Sequence, residues 1–166
     1  MDTFSHAFWT YFLARKKYWV KQAVITSIIP DIPFIATLII TTLLGLSFTQ
    51  FLSFYKGSIA FQASNLLHSF IVFAIISIVI IIKFNNFKGI IFGLGFHNVL
   101  DLFTHADYAH QIFWPLSKFT FISPISYSEP QYHAIEFNII NFSLIIIAIV
   151  YLWREKNSKS KESRNK

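Results

Sequence analysis

The chain of 166 residues contains no cysteine, and charged residues make up only 13% of it. The absence of cysteine excludes disulfide bonds, thiolate nucleophiles and thiolate metal ligands, so any metal site must use histidine and carboxylate. Hydrophobic residues make up 54% of the chain, which is too much for an ordinary water-soluble surface. Because the apolar residues are also clustered, this composition predicts one domain with membrane-spanning segments.

Sequence motifs of several enzyme classes are also missing. There is no glycine-rich phosphate loop, no G-x-S-x-G and no H-E-x-x-H. The formal net charge of +6 does not predict a nucleic-acid partner, because six of the fourteen Lys and Arg residues lie between Arg154 and Lys166. A basic tail directly after an apolar segment is typical of a cytoplasmic flank held near anionic lipid.

The apolar segments predict an all-α, polytopic membrane bundle with about four membrane-embedded helices, preceded by an N-terminal amphipathic helix within residues 3–20. The first segment, 23–48, is interrupted at Pro30-Asp31-Ile32-Pro33. Either residues 34–52 cross alone, or the whole segment crosses as a broken, tilted helix. The other predicted helices are Leu66–Ile82, Gly89–Phe103 and Phe137–Trp153. The predicted connections are a polar loop at 50–64, a turn at 83–88 and a long irregular loop at 104–136.

The predicted domain organisation follows from these segments. Residues 1–153 form one membrane-embedded helical domain that carries the metal site, and residues 154–166 form a disordered, basic cytoplasmic tail. Basic residues are concentrated before the first span, in the turn after the second and in the tail. The positive-inside rule then predicts a multi-pass protein with both termini in the cytoplasm. The oligomeric state is left open.

Ionisable residues within or beside the predicted spans are Asp31, His68, His97 and Asp101. Such a residue costs about 2.5–3.5 kcal/mol on insertion scales, so it is usually retained for a function. Taken singly, Asp31 fits a helix N-cap and His68 an interfacial position. His97 and Asp101 fit a simple pair four residues apart. Together, these side chains are a common ligand set for Zn²⁺, Mn²⁺ or Fe²⁺, and a cation would offset the cost of burying them.

The segment after this set carries more candidate ligands: His105, Asp107, His110, His133 and Glu136. His97, Asp101 and His105 recur at every fourth position, so their side chains lie close to one side of a helix. The loop residues either bind a second metal, or orient the ligands of the first, or form a solvated polar loop.

Short motifs follow one another in a fixed order between residues 6 and 136. They are Ser5-His6-Ala7, Ile28-Ile29-Pro30-Asp31-Ile32-Pro33, Leu66-Leu67-His68-Ser69-Phe70, His97-x-x-x-Asp101-x-x-Thr104-His105-x-Asp107-x-x-His110, Phe113-Trp114-Pro115-Leu116-Ser117, Ser123-Pro124-Ile125-Ser126-Tyr127 and His133. This ordered set resembles the YdjM-like group of predicted membrane-bound metal-dependent hydrolases. That group is related by motif order to bacterial zinc-dependent phospholipase C.

The resemblance implies an all-helical metal site in a protein of the bacterial cytoplasmic membrane. Its principal ligands would be Asp31, His68, His97 and Asp101. His6 matches an early histidine of the phospholipase C pattern, and His133 takes the place of the last histidine. Together with His105 and His110 in the loop, they complete the candidate ligands. Zinc is the expected metal, with manganese or iron as alternatives.

These residues predict metal-assisted hydrolysis, in which a cation lowers the pKa of a water molecule and polarises a phosphoryl or acyl oxygen. Asp31 is the predicted general base. By analogy with the family, the substrate is a phosphoester of a lipid or a lipid-linked molecule, and membrane lipid is the surrounding partner.

The alternative is a non-enzymatic multi-pass membrane protein, in which polar residues line a metal or proton pathway or hold the bundle together. A pathway distributes its polar residues through the membrane, whereas a catalytic site gathers them at one depth. The hydrolase hypothesis therefore requires residues 23–29 to enter the membrane before the break at Pro30. Only then can Asp31 meet the other ligands.

Overall fold

The computed structural model of the protein describes residues 1–84 and 87–164. Within these residues it contains eight α-helices: α1 (Thr3–Ala14), α2 (Val20–Thr26), α3 (Ile32–Leu43), α4 (Phe48–Lys56), α5 (Ile59–His68), α6 (Phe70–Lys83), α7 (Lys88–Thr104) and α8 (Ala134–Arg164). Single 3-10 turns lie at Ile29–Asp31 and Pro130–Tyr132. In the same residues, β pairing is limited to an isolated bridge between Gln111 and Thr120. The all-α prediction is confirmed.

The number of membrane spans is smaller than predicted. Two segments of the described chain are long and apolar enough to cross, Val20–Leu43 and Ala134–Lys159. The pair α5–α6 adds a third only if it crosses as one bent unit, because the two helices meet at an angle of 61°. The prediction of four spans is therefore wrong. Its third helix corresponds to α7, which has 17 residues and turns His97 and Asp101 into the protein.

Helices α2 and α7 cross with their backbones in close contact. A Cβ atom on Gly93 would lie 2.3 Å from the carbonyl oxygen of Ala23, and one on Gly89 would lie 2.6 Å from that of Trp19. Small residues four positions apart allow such an approach in membrane bundles. The crossing places the C-terminal end of α2 beside the middle of α7.

The side chains of the bundle are distributed as expected in a lipid environment. Helix α1 buries Ser5, His6 and Thr10, whereas its Phe4 and Leu13 are exposed. Helix α3 buries Thr37 and Thr41. Since small and polar side chains face inward and large apolar ones face outward, the outer surface suits hydrocarbon rather than water. The predicted N-terminal helix thus forms, with its polar side against the bundle.

Two predicted boundaries differ from the structure because serine residues start new helices. The predicted polar loop at 50–64 is largely helical, since Ser47 and Gln50 form a capping box at the start of α4 and Ser58 caps α5. The predicted helix Leu66–Ile82 is divided at Ser69, whose side chain accepts a hydrogen bond from Val72 N at the start of α6. The division leaves His68 at the end of α5.

The remaining connections agree with the prediction in part. The long loop at 104–136 is mostly irregular, as expected from its prolines. Helix α8 continues through Arg164, so the described part of the basic tail is helical rather than disordered. Residues 165–166 of that tail and the centre of the predicted turn, 85–86, lie outside the described residues.

Candidate metal centre

Residues from three parts of the fold meet between α2, α5 and α7. Asp31 ends the 3-10 turn before α3, His68 ends α5, and His97 and Asp101 lie one turn apart on α7. Each offers one ligand atom, and these atoms all lie within 4.8 Å of one another. We call these four residues the helix group. The structure thus brings together the principal ligand set predicted from sequence.

The spacing of the helix group suits a small divalent cation. The Nε2 atoms of His68 and His97 are 3.1 Å apart, and each is 3.1 Å from Oδ2 of Asp101. Oδ1 of Asp31 is 3.7 Å from His97 Nε2 and 4.0 Å from His68 Nε2. A tetrahedral zinc ion with bonds of about 2.0–2.1 Å separates its ligands by about 3.3–3.4 Å. The three closer atoms therefore already lie near ligand spacing.

The hydrogen bonds of the two imidazoles also favour a cation. Nδ1–H of His97 donates to the carbonyl oxygen of Ser27 at 2.6 Å, and Nδ1–H of His68 donates to that of Ser64 at 2.7 Å. A carbonyl oxygen only accepts, so in the neutral ring Nε2 keeps its lone pair. Two such lone pairs and a carboxylate oxygen then face one another, and a shared cation makes this arrangement favourable.

The proline-containing break between α2 and α3 makes two of these contacts possible. In a continuous helix the N–H of Asp31 would bond to the carbonyl of Ser27, but here it bonds to that of Ile28. The Ser27 carbonyl is consequently free for His97. The same break turns Asp31 toward α7, and its Oδ2 accepts from the Thr3 hydroxyl at 2.5 Å. Helices α2 and α3 lie within one candidate span, Val20–Leu43, as the entry of residues 23–29 before the break would require.

His6 contacts the other oxygen of the Asp101 carboxylate from the one that faces His68 and His97. Its Nε2 is 2.7 Å from Asp101 Oδ1, and its ring stacks on that of His97 with centroids 3.8 Å apart. The Met1 amino group donates to the same oxygen. In this arrangement His6 orients Asp101 so that Oδ2 faces the helix group.

Asp101 also belongs to a second set of candidate ligands with His105 and His110, which we call the loop group. Nδ1 of His105 is 3.4 Å from Asp101 Oδ1, and the ring of His110 stacks on that of His68 with centroids 3.6 Å apart. Burial lowers the pKa of His105 to about 3 and also lowers the pKa of His110. Both imidazoles are therefore neutral near pH 7, which is the form that binds a cation.

The structure does not bring the other candidates to either group. His133 is exposed, has a left-handed backbone with φ of 61°, and directly precedes α8. Glu136 is exposed on the first turn of α8. Asp107 is exposed as well and accepts from the Tyr132 hydroxyl at 2.9 Å. For Asp107 this is the solvated polar position that the sequence left open.

Two buried residues of this region were missed by the sequence reasoning. Glu129 is 3% exposed, and its carboxylate accepts from the backbone N–H groups of Ala106 and Asp107 and from the Ser126 hydroxyl. It thereby holds the chain directly after His105. Asn98 is also 3% exposed and lies beside His97. The one available signal for Glu129 was its place among only eight acidic residues.

Comparison with known proteins agrees with an assignment to membrane proteins. A family model described as the YdjM inner membrane protein matches residues 1–159. No curated protein and no solved structure matches the chain significantly. The relationship to phospholipase C therefore stays a prediction. Because the family match covers nearly the whole sequence, the chain belongs to the YdjM inner membrane protein family.

Proposed function

We propose that this protein is a membrane-bound, metal-dependent hydrolase that acts on a phosphoester of a lipid or lipid-linked molecule. The observation that carries the proposal is the triangle of His68 Nε2, His97 Nε2 and Asp101 Oδ2, with sides of 3.1 Å. All three atoms are acceptors when the rings are neutral, so the triangle is suited to a cation. Zn²⁺ fits a nitrogen and oxygen ligand set of this size, and Mn²⁺ or Fe²⁺ are the alternatives.

The chain's own residues take separate roles in this proposal. His68, His97 and Asp101 would hold the cation, and the cation would supply a water of lowered pKa and polarise a phosphoryl oxygen. Asp31 is the general base. Oδ2 of Asp31 already accepts from the Thr3 hydroxyl, so only Oδ1 faces the two imidazoles. The Asp31 side chain is also more exposed than that of Asp101, 16% against 5%. The loop group offers a place for a second cation next to the first.

A lipid-like substrate is supported by the surroundings of the site. A small cavity lies against His68, Asp101 and His110, and Phe121 forms part of its wall. Phe121 is 36% exposed and its neighbour Ile122 is 59% exposed. Exposed apolar groups beside a polar site suit a molecule with an apolar tail and a charged head. Both termini in the cytoplasm and a multi-pass topology are part of the same proposal.

The non-enzymatic alternative predicts a different arrangement of polar residues. A metal or proton pathway needs polar groups along the membrane normal, whereas the ligand atoms of the helix group converge within 4.8 Å. Polar groups that only hold a bundle together would satisfy one another by hydrogen bonds. With both rings neutral, the three facing acceptor atoms of His68, His97 and Asp101 do not satisfy one another.

The test is metal analysis of the full-length protein purified in detergent. We expect at least one divalent cation per chain in the wild type, loss of it in His97→Ala, and wild-type content in His133→Ala. The second variant is the matched control because it removes an exposed histidine outside both groups. Hydrolysis of a lipid phosphoester should follow metal content. A wild-type protein without stoichiometric metal would instead support the structural bundle.

A further inference from the structure

Asn98 is a buried polar residue whose side chain makes no hydrogen bond to the described part of the chain. It is 3% exposed, and among the described residues neither the nitrogen nor the oxygen of its carboxamide has a hydrogen-bond partner. Leaving both ends of a buried amide unpaired is unfavourable, so such groups in native proteins usually have a partner from outside the chain. Asn98 therefore needs a ligand or water.

Other buried asparagines of the protein are paired. Oδ1 of Asn141 accepts from Trp9 Nε1 at 2.9 Å, and its Nδ2 donates to the Ser5 hydroxyl at 2.8 Å. Oδ1 of Asn65 accepts from the backbone N–H of Gln111 at 3.2 Å. These two asparagines are thus held by specific contacts within the bundle, whereas Asn98 is not.

The position of Asn98 identifies what it faces. Asn98 is one of the residues that line the cavity, together with His68, Asp101 and His110. These three residues come from the helix group and the loop group, so the cavity lies where the two groups meet. The space is just large enough for about one water-sized group, which is the size of a single oxygen atom of a larger ligand.

We propose that Asn98 is a ligand-binding residue, whose Nδ2–H donates to an oxygen of a phosphoryl group held between the two groups. This inference rests on the proposed function, because the phosphoryl group is attracted there by the cation. The imidazole and carboxylate groups around it act as cation ligands, whereas the carboxamide is a neutral donor for an oxyanion. A donor already fixed by burial needs no rearrangement when the ligand binds.

The test is phosphate binding to the zinc-loaded, full-length protein in detergent, measured by titration calorimetry. Asn98→Leu removes the amide at similar size, and Asn98→Asp keeps the shape but removes the donor. We expect each to weaken the binding of inorganic phosphate about 10- to 100-fold while zinc content stays at the wild-type level. Asn141→Leu, which removes a paired amide away from the cavity, should leave phosphate affinity unchanged.

A second set of titrations identifies the source of the phosphoryl group. A lipid monophosphate is titrated in the same detergent. Tighter binding than inorganic phosphate, with the same dependence on Asn98, assigns a lipid ligand, whereas equal binding assigns a free phosphate ester. Both results support the role of Asn98.

Thermal unfolding without phosphate provides an independent readout. Asn98→Leu should unfold at the same or a higher temperature than the wild type, because it removes an unpaired buried amide. Asn141→Leu should unfold at a lower temperature. Unchanged phosphate affinity in both Asn98 variants, or a fall in unfolding temperature in Asn98→Leu equal to that in Asn141→Leu, would overturn this inference. A wild type that binds no zinc would overturn the proposed function instead.

Discussion

The helix group and the loop group share Asp101 but are held in different ways. In the helix group, His68 and His97 each donate from Nδ1 to a backbone carbonyl, within α5 for His68 and across to the end of α2 for His97, so helix backbone fixes the direction of Nε2. In the loop group, His105 and His110 belong to the segment after α7, whose backbone is held by Glu129. Ligands on packed helices are better preorganised than ligands on a long loop. We therefore expect tighter metal binding by the helix group.

The largest expected effect comes from the residue that the groups share. Asp101→Asn keeps the size of the side chain but removes the carboxylate from both groups, so the purified protein should contain no stoichiometric metal. Metal analysis and zinc titration measure this. Asp107→Asn is the matched control, since Asp107 is exposed and outside both groups, and it should keep wild-type metal content. Retention of full metal content by Asp101→Asn would refute the proposal that Asp101 is a metal ligand of both groups.

The next largest effect should come from the helix crossing that supports the helix group. In Gly93→Ala the new Cβ would lie 2.1 Å from Thr26 Oγ1 and 2.3 Å from the Ala23 carbonyl oxygen, so α2 must move away from α7. We expect a loss of about 1–3 kcal/mol in the free energy of unfolding, together with weaker zinc binding.

Gly57→Ala is the control for this helix-crossing variant. A Cβ on Gly57 would meet only the Phe54 carbonyl oxygen at 3.8 Å, which is an ordinary contact. Its unfolding midpoint and zinc affinity should match those of the wild type. Equal behaviour of the two glycine variants would show that the close crossing does not support the site.

The smallest effect should be confined to the loop group. Glu129→Ala removes the acceptor for the backbone N–H groups of Ala106 and Asp107, which frees the chain after His105. We expect about 10- to 100-fold weaker binding of a second cation and unchanged binding of the first, as resolved by two-step zinc titration. Glu136→Ala, which removes an exposed glutamate, should alter neither step. Loss of the first cation in Glu129→Ala would mean that the two groups are not separable.

The principal ligands were predictable because ionisable residues are conspicuous in apolar surroundings. Asp31, His68, His97 and Asp101 each interrupt a hydrophobic stretch, and the structure brings them together. Asn98 and Glu129 were not predictable in this way. An asparagine on a helix and a glutamate in a proline-containing loop are ordinary by sequence. The importance of Asn98 lies in the cavity that it lines with residues of other elements, and that of Glu129 in its hydrogen bonds to the backbone of Ala106 and Asp107.

The helices were more predictable than their surroundings. Apolar segments predict α3, α6, α7 and α8. Composition does not tell whether a helix faces lipid or protein, so it also predicts a span at α7, which is too short and too polar to be one of the candidate spans. The serine caps that begin α4, α5 and α6 involve one or two hydrogen bonds each. Such local signals were outweighed by the polarity of residues 50–64, which resembles that of a loop.

The sequence by itself determined the class of this protein, a helical membrane protein with a histidine and carboxylate ligand set, because hydrophobic content and the absence of cysteine leave few alternatives. Only the tertiary structure decided which ligands share a site. The Ser27 and Ser64 carbonyl oxygens accept hydrogen bonds from two imidazoles and so orient them, and the close approach of α2 to α7 at Gly93 keeps Ser27 beside His97. The bond between His68 and Ser64 is local to α5, but the others join residues far apart in the chain, so they depend on packing rather than on local pattern.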